Sequence, residues 1–209
     1  MTEGQPVANI QNSESSGQVA DFAVVEFSNP PSHYPSMIYV LAYPEFDPLC
    51  DKRIHDFRAK QEPHRAKLVP PHLTLVFGVK SEHLSVITEL AEAVSRETQA
   101  FRITFGDHAI ELDPFEQKHK IFLLCGKGGC KVTALHNRLY NGEHHDEFSE
   151  KYSFRPHMTV ATCDTSAQIE RINVSDVGPL PLHATLRALE IVQLSNGALS
   201  TLIRLPFRQ

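Results

Sequence analysis

No lysine or arginine occurs in the first 51 residues of this 209-residue chain. Lacking both a basic segment and an apolar core, residues 1–20 are not expected to be a secretory signal or a mitochondrial presequence. No apolar run approaches the roughly 18 residues that a transmembrane helix needs, so no membrane span is expected and the protein is placed in the cytoplasm. The four cysteines (Cys50, Cys125, Cys130 and Cys163) show no Cys-x-x-Cys spacing. That pattern speaks against a disulfide scaffold and a closed zinc site, and leaves reduced, buried thiols as the expectation. A phosphate-binding glycine loop is also missing: Lys127-Gly128-Gly129 is too short for one and reads as a turn.

The absence of early cations changes the meaning of the net charge. Residues 1–51 hold seven acidic side chains, so the overall −5 becomes −5 + 7 = +2 for residues 52–209. A mildly basic body suits a small anionic ligand or an RNA end, and falls short of a broad nucleic-acid surface. Residues 1–20 read as a flexible acidic tail, and 21–209 as one domain.

Patterning then outlines the elements. DFAVVEF (21–27) reads as a short strand, cut off by SNPPSHYP, and MIYVLAY (37–43) as a buried strand. Residues 47–62 carry a helical stripe of Leu49, Ile54 and Phe57, ended by Pro63. Pro70 and Pro71 lead into the strand 72–79. Ser81 is the expected N-cap of a helix burying Leu84, Ile87, Leu90 and Val94. Strands are expected over 101–112 and 120–125, a helix burying Val132, Leu135 and Leu139, a strand over 157–161 and a short helix over 165–174. Two last strands, 184–194 and 199–206, flank a turn at Ser195-Asn196-Gly197.

These elements repeat. A shift of 157 − 72 = 85 positions lays Pro71-His72-Leu73-Thr74-Leu75 on Pro156-His157-Met158-Thr159-Val160. The same shift lays Met37–Val40 on Phe122–Cys125, and Leu84 and Ile87 on Ile169 and Ile172. An internal duplication, about 37–112 and 120–206, predicts an α+β fold of two pseudo-twofold-related lobes.

On a strand, residues i and i+2 share a face, so His72 points with Thr74 and His157 with Thr159, while Leu73, Leu75, Met158 and Val160 pack beneath. Pseudo-twofold symmetry brings both pairs to one central cleft. Displacement at phosphorus needs a base on the attacking oxygen and an acid on the leaving oxygen. Histidine, with an ordinary pKa near ~6.5, serves either role around neutrality. The threonine hydroxyls can donate to the non-bridging oxygens. Neither metal nor cofactor is required.

The paired P-H-[LM]-T-[LV] segments resemble the 2H phosphoesterase superfamily, which includes 2′,5′ RNA ligase-like proteins and cyclic nucleotide phosphodiesterases. Both copies are intact, and the resemblance covers about residues 37–206. It implies antiparallel sheets lining a central cleft, with helices outside, and His72, Thr74, His157 and Thr159 as the catalytic set. It also implies chemistry on 2′,3′-cyclic phosphates, 1″,2″-cyclic ADP-ribose phosphate or 2′–5′ linkages. A monomeric enzyme that opens a 2′,3′-cyclic phosphate on a nucleotide or an RNA end, as in RNA processing, is the expected activity. Ligation to a 2′–5′ bond, or a binding module without catalysis, are the alternatives.

Around this centre, Arg155 shares strand parity with His157 and is a candidate phosphate or base contact, with a salt bridge as the rival role. Tyr152 and Tyr39 are candidate substrate contacts, with core packing the favoured role for Tyr39 and for Phe154. His144-His145 suggests a metal site at first glance. Adjacent histidines in a polar loop seldom chelate one ion together, so no metal is expected there. Lys118, Lys120, Lys127 and Lys131 are expected on a solvated surface.

Overall fold

The computed structural model describes residues 36–147 and 153–209. The expected tail, the strand over 21–27 and Tyr152 lie outside the described residues. In chain order the elements are β1 (Met37–Ala42), β2 (Glu45–Phe46), α1 (Pro48–Gln61), α2 (Pro63–Leu68), β3 (Leu73–Lys80), α3 (Leu84–Glu97), β4 (Phe101–Leu112) and β5 (His119–Cys125). They continue with α4 (Gly129–Leu139), β6 (His157–Cys163), α5 (Ser166–Ile169), β7 (Leu182–Leu186), β8 (Ala188–Ser195) and β9 (Ala198–Pro206).

The strands form two antiparallel sheets, ordered β3-β1-β8-β9 and β2-β7-β4-β5-β6. Helices α3 and α4 pack on the first sheet, and α1 and α5 on the second. This is the expected α+β architecture with paired sheets. The segments 37–112 and 120–206 do not each build one sheet, however: β4 pairs in the second sheet, and β8 and β9 in the first. Each sheet is therefore assembled from both ends of the chain.

Strand β1 shows how one sequence serves two surfaces. All six of its residues are buried. Ile38, Val40 and Ala42 join the large core beneath the helices. Met37, Tyr39 and Leu41 form a second cluster with Val69 and Val192 on the opposite face. A strand covered on both faces loses the apolar–polar alternation and becomes a continuous hydrophobic run, as MIYVLA is.

Several local expectations are corrected by tertiary context. Helix α1 does end ahead of Pro63, at Gln61, but Pro63 also opens a further short helix, α2, in whose first turn its missing N–H is harmless. The stripe of α1 is Ile54, Phe57 and Arg58, and Leu49 is 60% exposed. Ser81 opens a single 3-10 turn, and α3 starts three residues later without a side-chain cap. The helix expected over 165–174 is only one turn, closed by a capping box between Thr165 and Gln168. The strand expected over 184–194 breaks at Arg187 into β7 and β8, which belong to different sheets. The cysteines are half-buried at 50, 125 and 163 and exposed at Cys130, and all are free thiols. Among the described residues no helix is long and apolar enough to cross a membrane.

The expected turn at Lys127-Gly128-Gly129 is present and needs its glycine. Gly128 has φ +89°, and a Cβ there would lie 2.6 Å from the Arg102 carbonyl oxygen. Both the left-handed backbone and the close approach exclude a side chain.

Candidate active site

The two His-Thr strands, β3 and β6, are each the outer strand of their sheet, and they touch each other where the sheets meet. Along β3, Leu73 and Leu75 are buried while His72 and Thr74 keep partial access to solvent. Along β6, Met158 and Val160 are buried while His157 and Thr159 keep the same partial access.

A register shift follows each motif at the same place. On β3 the pairing with β1 steps from Leu41↔Thr74 to Val40↔Val76, leaving Leu75 as the extra residue. On β6 the pairing with β5 steps from Phe122↔Thr159 to Ile121↔Ala161, leaving Val160 as the extra residue. Bulges of this kind bend a strand and re-aim its side chains. The first is held from outside: the ring of His136 on α4 bonds the Leu75 carbonyl at 2.7 Å through Nδ1. That ring is stacked on Phe154, with centroids 3.7 Å apart and planes within 4°. Phe154 thus packs inside, as expected, and ties the approach to β6 to the bulge of β3.

These pairings also correct the frame of the repeat. The residue opposite Thr74 is Leu41 and the residue opposite Thr159 is Phe122, a shift of 122 − 41 = 81, four short of the 85 that relates the histidines. The loops and helices between the paired strands differ in length, so one constant offset cannot describe both.

The imidazoles are held alike. Nδ1 of His72 lies 2.8 Å from the Pro70 carbonyl oxygen, and Nδ1 of His157 lies 2.7 Å from the Arg155 carbonyl oxygen. A carbonyl can only accept, so each Nδ1 carries the proton and each Nε2 keeps the lone pair in the neutral ring. Burial among protein atoms pushes His72 down to about 4, helped by the positive charges of Arg58, Arg65 and His157 and opposed by the Pro70 bond. His157 is also lowered, mainly by burial and then by Arg155 and Lys120, against the Arg155 carbonyl bond and Glu111, which favour the charged form. Both rings are therefore neutral at pH 7 before an anion arrives.

Aromatic rings support the histidines from within their own sheets. Phe122 lies 4.2 Å from the His157 ring, and Tyr43 meets His72 edge-on at 6.3 Å. Neither stood out in the sequence, although each sits on or beside a strand next to a His-Thr motif in the folded sheets.

A buried ionic network accompanies the site. Arg58 Nε pairs with Glu62 at 2.6 Å and its Nη1 donates to the Val69 carbonyl at 2.9 Å. Arg65 makes two bonds to Glu116, at 2.9 and 3.1 Å, and Lys120 bridges Asp113 and Glu116. Thr162, three residues beyond Thr159, donates to Glu62 at 3.0 Å. Lys120 is only 4% exposed, which overturns the expectation of a solvated surface lysine. Burial is tolerated because two carboxylates share its ammonium.

The remaining candidates separate. Arg155 is exposed and paired with Glu111 at 2.5 Å beside His157. Tyr39 is 8% exposed, in the second apolar cluster, with burial pushing its phenol up to about 12. His144 is fully buried, unlike a polar-loop residue. Among the described residues, Glu82, His83 and Glu147 are grouped closely enough to hold an ion. The Lys80 ammonium already lies 3.5 Å from Glu147 and 3.8 Å from Glu82.

The fold is thus α+β with two antiparallel sheets, and a His-Thr pair lies on each of two adjoining edge strands. Residues 46–198 match the model of the 2′-5′ RNA ligase superfamily, and the chain belongs to that family. The fold is shared with solved structures at low identity. Escherichia coli LigT in apo form superposes with a TM-score of 0.55 at 20% identity, covering 85% of this chain and all of LigT. The Thermus thermophilus protein TT0787 gives 0.57 at 19% identity, covering 82% of this chain and 98% of its own. Kluyveromyces marxianus Usb1 gives 0.50 at 10% identity with the same coverages. A comparison with curated protein sequences finds no match.

Proposed function

We propose that this protein is a metal-independent phosphodiesterase that opens a cyclic phosphate, foremost a 2′,3′-cyclic phosphate, on a nucleotide or an RNA end. The observation that carries this reading is the pair of matched imidazoles, each with Nδ1–H fixed by a backbone carbonyl and each beside a threonine on the same strand face. One neutral ring takes the proton of the attacking water at Nε2. The other, as imidazolium, gives its proton to the departing ribose oxygen, and a phosphate monoester remains. Burial, with Arg58 and Arg65 nearby, pushes His72 down to about 4 and makes it the base. His157 is then the acid, its charged form favoured by the Glu111 carboxylate though burial, Arg155 and Lys120 lower it too. Thr74 and Thr159 donate to the non-bridging oxygens. A solved structure of E. coli LigT is complexed with 3′-AMP, a nucleotide monoester of the kind such ring opening releases.

Because the two histidines supply both proton transfers, turnover of 2′,3′-cyclic nucleotides is expected to be the same with and without EDTA. Loss of activity on chelation would point to metal-dependent hydrolysis instead. Thr74→Ala and Thr159→Ala are each expected to raise the barrier by about 2.7–4 kcal/mol or less, the range for a lost oxyanion donor. Steady-state kinetics would read that as a lower kcat with little change in KM. The decisive assay presents cyclic mononucleotides, RNAs with cyclic ends, 1″,2″-cyclic ADP-ribose phosphate and 2′–5′ dinucleotides, and identifies which oxygen keeps the phosphate. Tight binding with no turnover of any of them would sink the enzymatic reading in favour of a binding module. Family membership keeps 2′–5′ ligation as a second reading, since joining uses the same groups in reverse.

A further inference from the structure

A cavity of about 420 Å³ opens beside His72, between Tyr43, Pro70, Pro71, Glu190, Leu199 and Thr201. Its position follows from sheet register. Thr74 pairs with Leu41, Leu41 with Glu190, and Glu190 with Arg204, so one row across the first sheet runs from the candidate catalytic threonine to Glu190. Two strand spacings separate Thr74 from Glu190, about 10 Å. That is about the span from a ribose phosphate to the far edge of its base.

The walls suit a flat, mostly apolar ring. The Tyr43 side chain stands edge-on to His72, and the prolines and Leu199 complete the apolar lining. The charged groups are mainly of one sign. Asp51 and Glu190 line the cavity together with His55, so a second phosphate is disfavoured there. Glu190 is aimed by two bonds: its Oε2 accepts from Thr201 at 3.1 Å, and its Oε1 lies 3.3 Å from Arg204 Nε. Each carboxylate oxygen has a second lone pair, so both can still accept.

We propose that this cavity is a nucleobase subsite in which Glu190 selects bases that present an exocyclic amine. A carboxylate accepts from the N4 amine of cytosine, and likewise from the amines of adenine or guanine. Uracil offers a carbonyl oxygen at the same place, which the carboxylate repels. The proposal rests on the reading of the cleft as a cyclic-phosphate site, since that reading puts the phosphate between the two His-Thr pairs.

Cytidine and uridine 2′,3′-cyclic phosphates differ only at the pyrimidine C4 substituent and N3, which makes them the natural probes. The wild-type protein is expected to favour cytidine in kcat/KM by about tenfold, the effect of a single base-edge contact. Glu190→Gln, which presents either an amide oxygen or an amide NH₂, is expected to bring the ratio close to one. Tyr43→Ala is expected to raise KM for both substrates alike. A wild-type ratio near one, or an unchanged ratio in Glu190→Gln, overturns the proposal. Calorimetric titration with 3′-CMP and 3′-UMP measures the same selectivity without turnover. If no cyclic nucleotide is hydrolysed but 3′-CMP still binds about tenfold more tightly, the catalytic reading fails and the subsite stands. Equal binding of the two monophosphates, or none, removes the subsite.

Discussion

His72→Ala and His157→Ala are each expected to lower turnover of a 2′,3′-cyclic nucleotide by about 10²–10⁴-fold, the contribution of one positioned acid or base. The fold should survive. Each ring keeps partial access to solvent, and its Nδ1 bonds a carbonyl only two residues away. Circular dichroism and thermal melts check that point alongside the kinetics. A near wild-type rate in either variant would eliminate the two-histidine mechanism. The pH profile gives a second readout. The acid must hold a proton and the base must not, and both rings are shifted below their ordinary value. Thus kcat/KM is expected to fall as pH rises through the depressed pKa of His157, already below the ordinary ~6.5, and to fall again near pH 4, where His72 itself becomes protonated. The profile belongs to the coupled pair rather than to either ring alone. Stability should follow the same shifts. A histidine whose folded pKa is depressed contributes stability above its unfolded pKa, and that contribution is lost as pH falls from about 6.5 toward 4. The melting temperature should therefore drop across that window, and less steeply in His72→Asn.

Arg58→Ala is expected to destabilise the protein by about 3–5 kcal/mol in urea denaturation, the cost of leaving a buried ion without its partner. The Glu62 side chain is 1% exposed and would lose its 2.6 Å bond, while the Val69 carbonyl would lose its donor. Such a loss is a large fraction of the roughly 5–15 kcal/mol that holds a domain folded. The double variant Arg58→Met with Glu62→Leu removes both charges together and should recover much of the difference, because an apolar pair of similar volume no longer has to be desolvated. If the single and double variants were equally unstable, packing rather than charge pairing would be the cause. Arg58 also opposes protonation of His72, so the double variant should move the acid limb of the rate profile to higher pH.

The contrast between Lys120 and Thr159 shows what was legible in advance. Thr159 could be placed from its neighbours, since alternation with buried Met158 and Val160 decides its face within one strand. Lys120 could not. In sequence it is one lysine among several near a turn; in the structure it lies under Asp113 and Glu116, with Arg65 from α2 bonded to that same Glu116. No local pattern announces an ion network whose charged members are up to 120 − 58 = 62 residues apart, from Arg58 to Lys120. Leu49 failed for a related reason. A helical stripe marks which face is apolar, but the packing partner decides which residues of that face are covered, and Leu49 in the first turn of α1 stays 60% exposed.

By itself the sequence determined much of the local geometry of this protein: most of the strand segments, the buried stripes of α3 and α4, and that His72 shares a face with Thr74 and His157 with Thr159. Those features depend on residues two to four apart, where the periods of strand and helix leave little choice. Tertiary structure alone decided that β4 crosses to the second sheet, that β8 and β9 return to the first, and that a bulge follows each threonine. It also brought Tyr43 and Phe122 against the histidines and set Glu190 in the row of Thr74. Strand partners and register arise from competition among distant segments for the same backbone hydrogen bonds and the same buried area. That competition is settled by the whole chain at once and leaves no periodic mark on any one part of it.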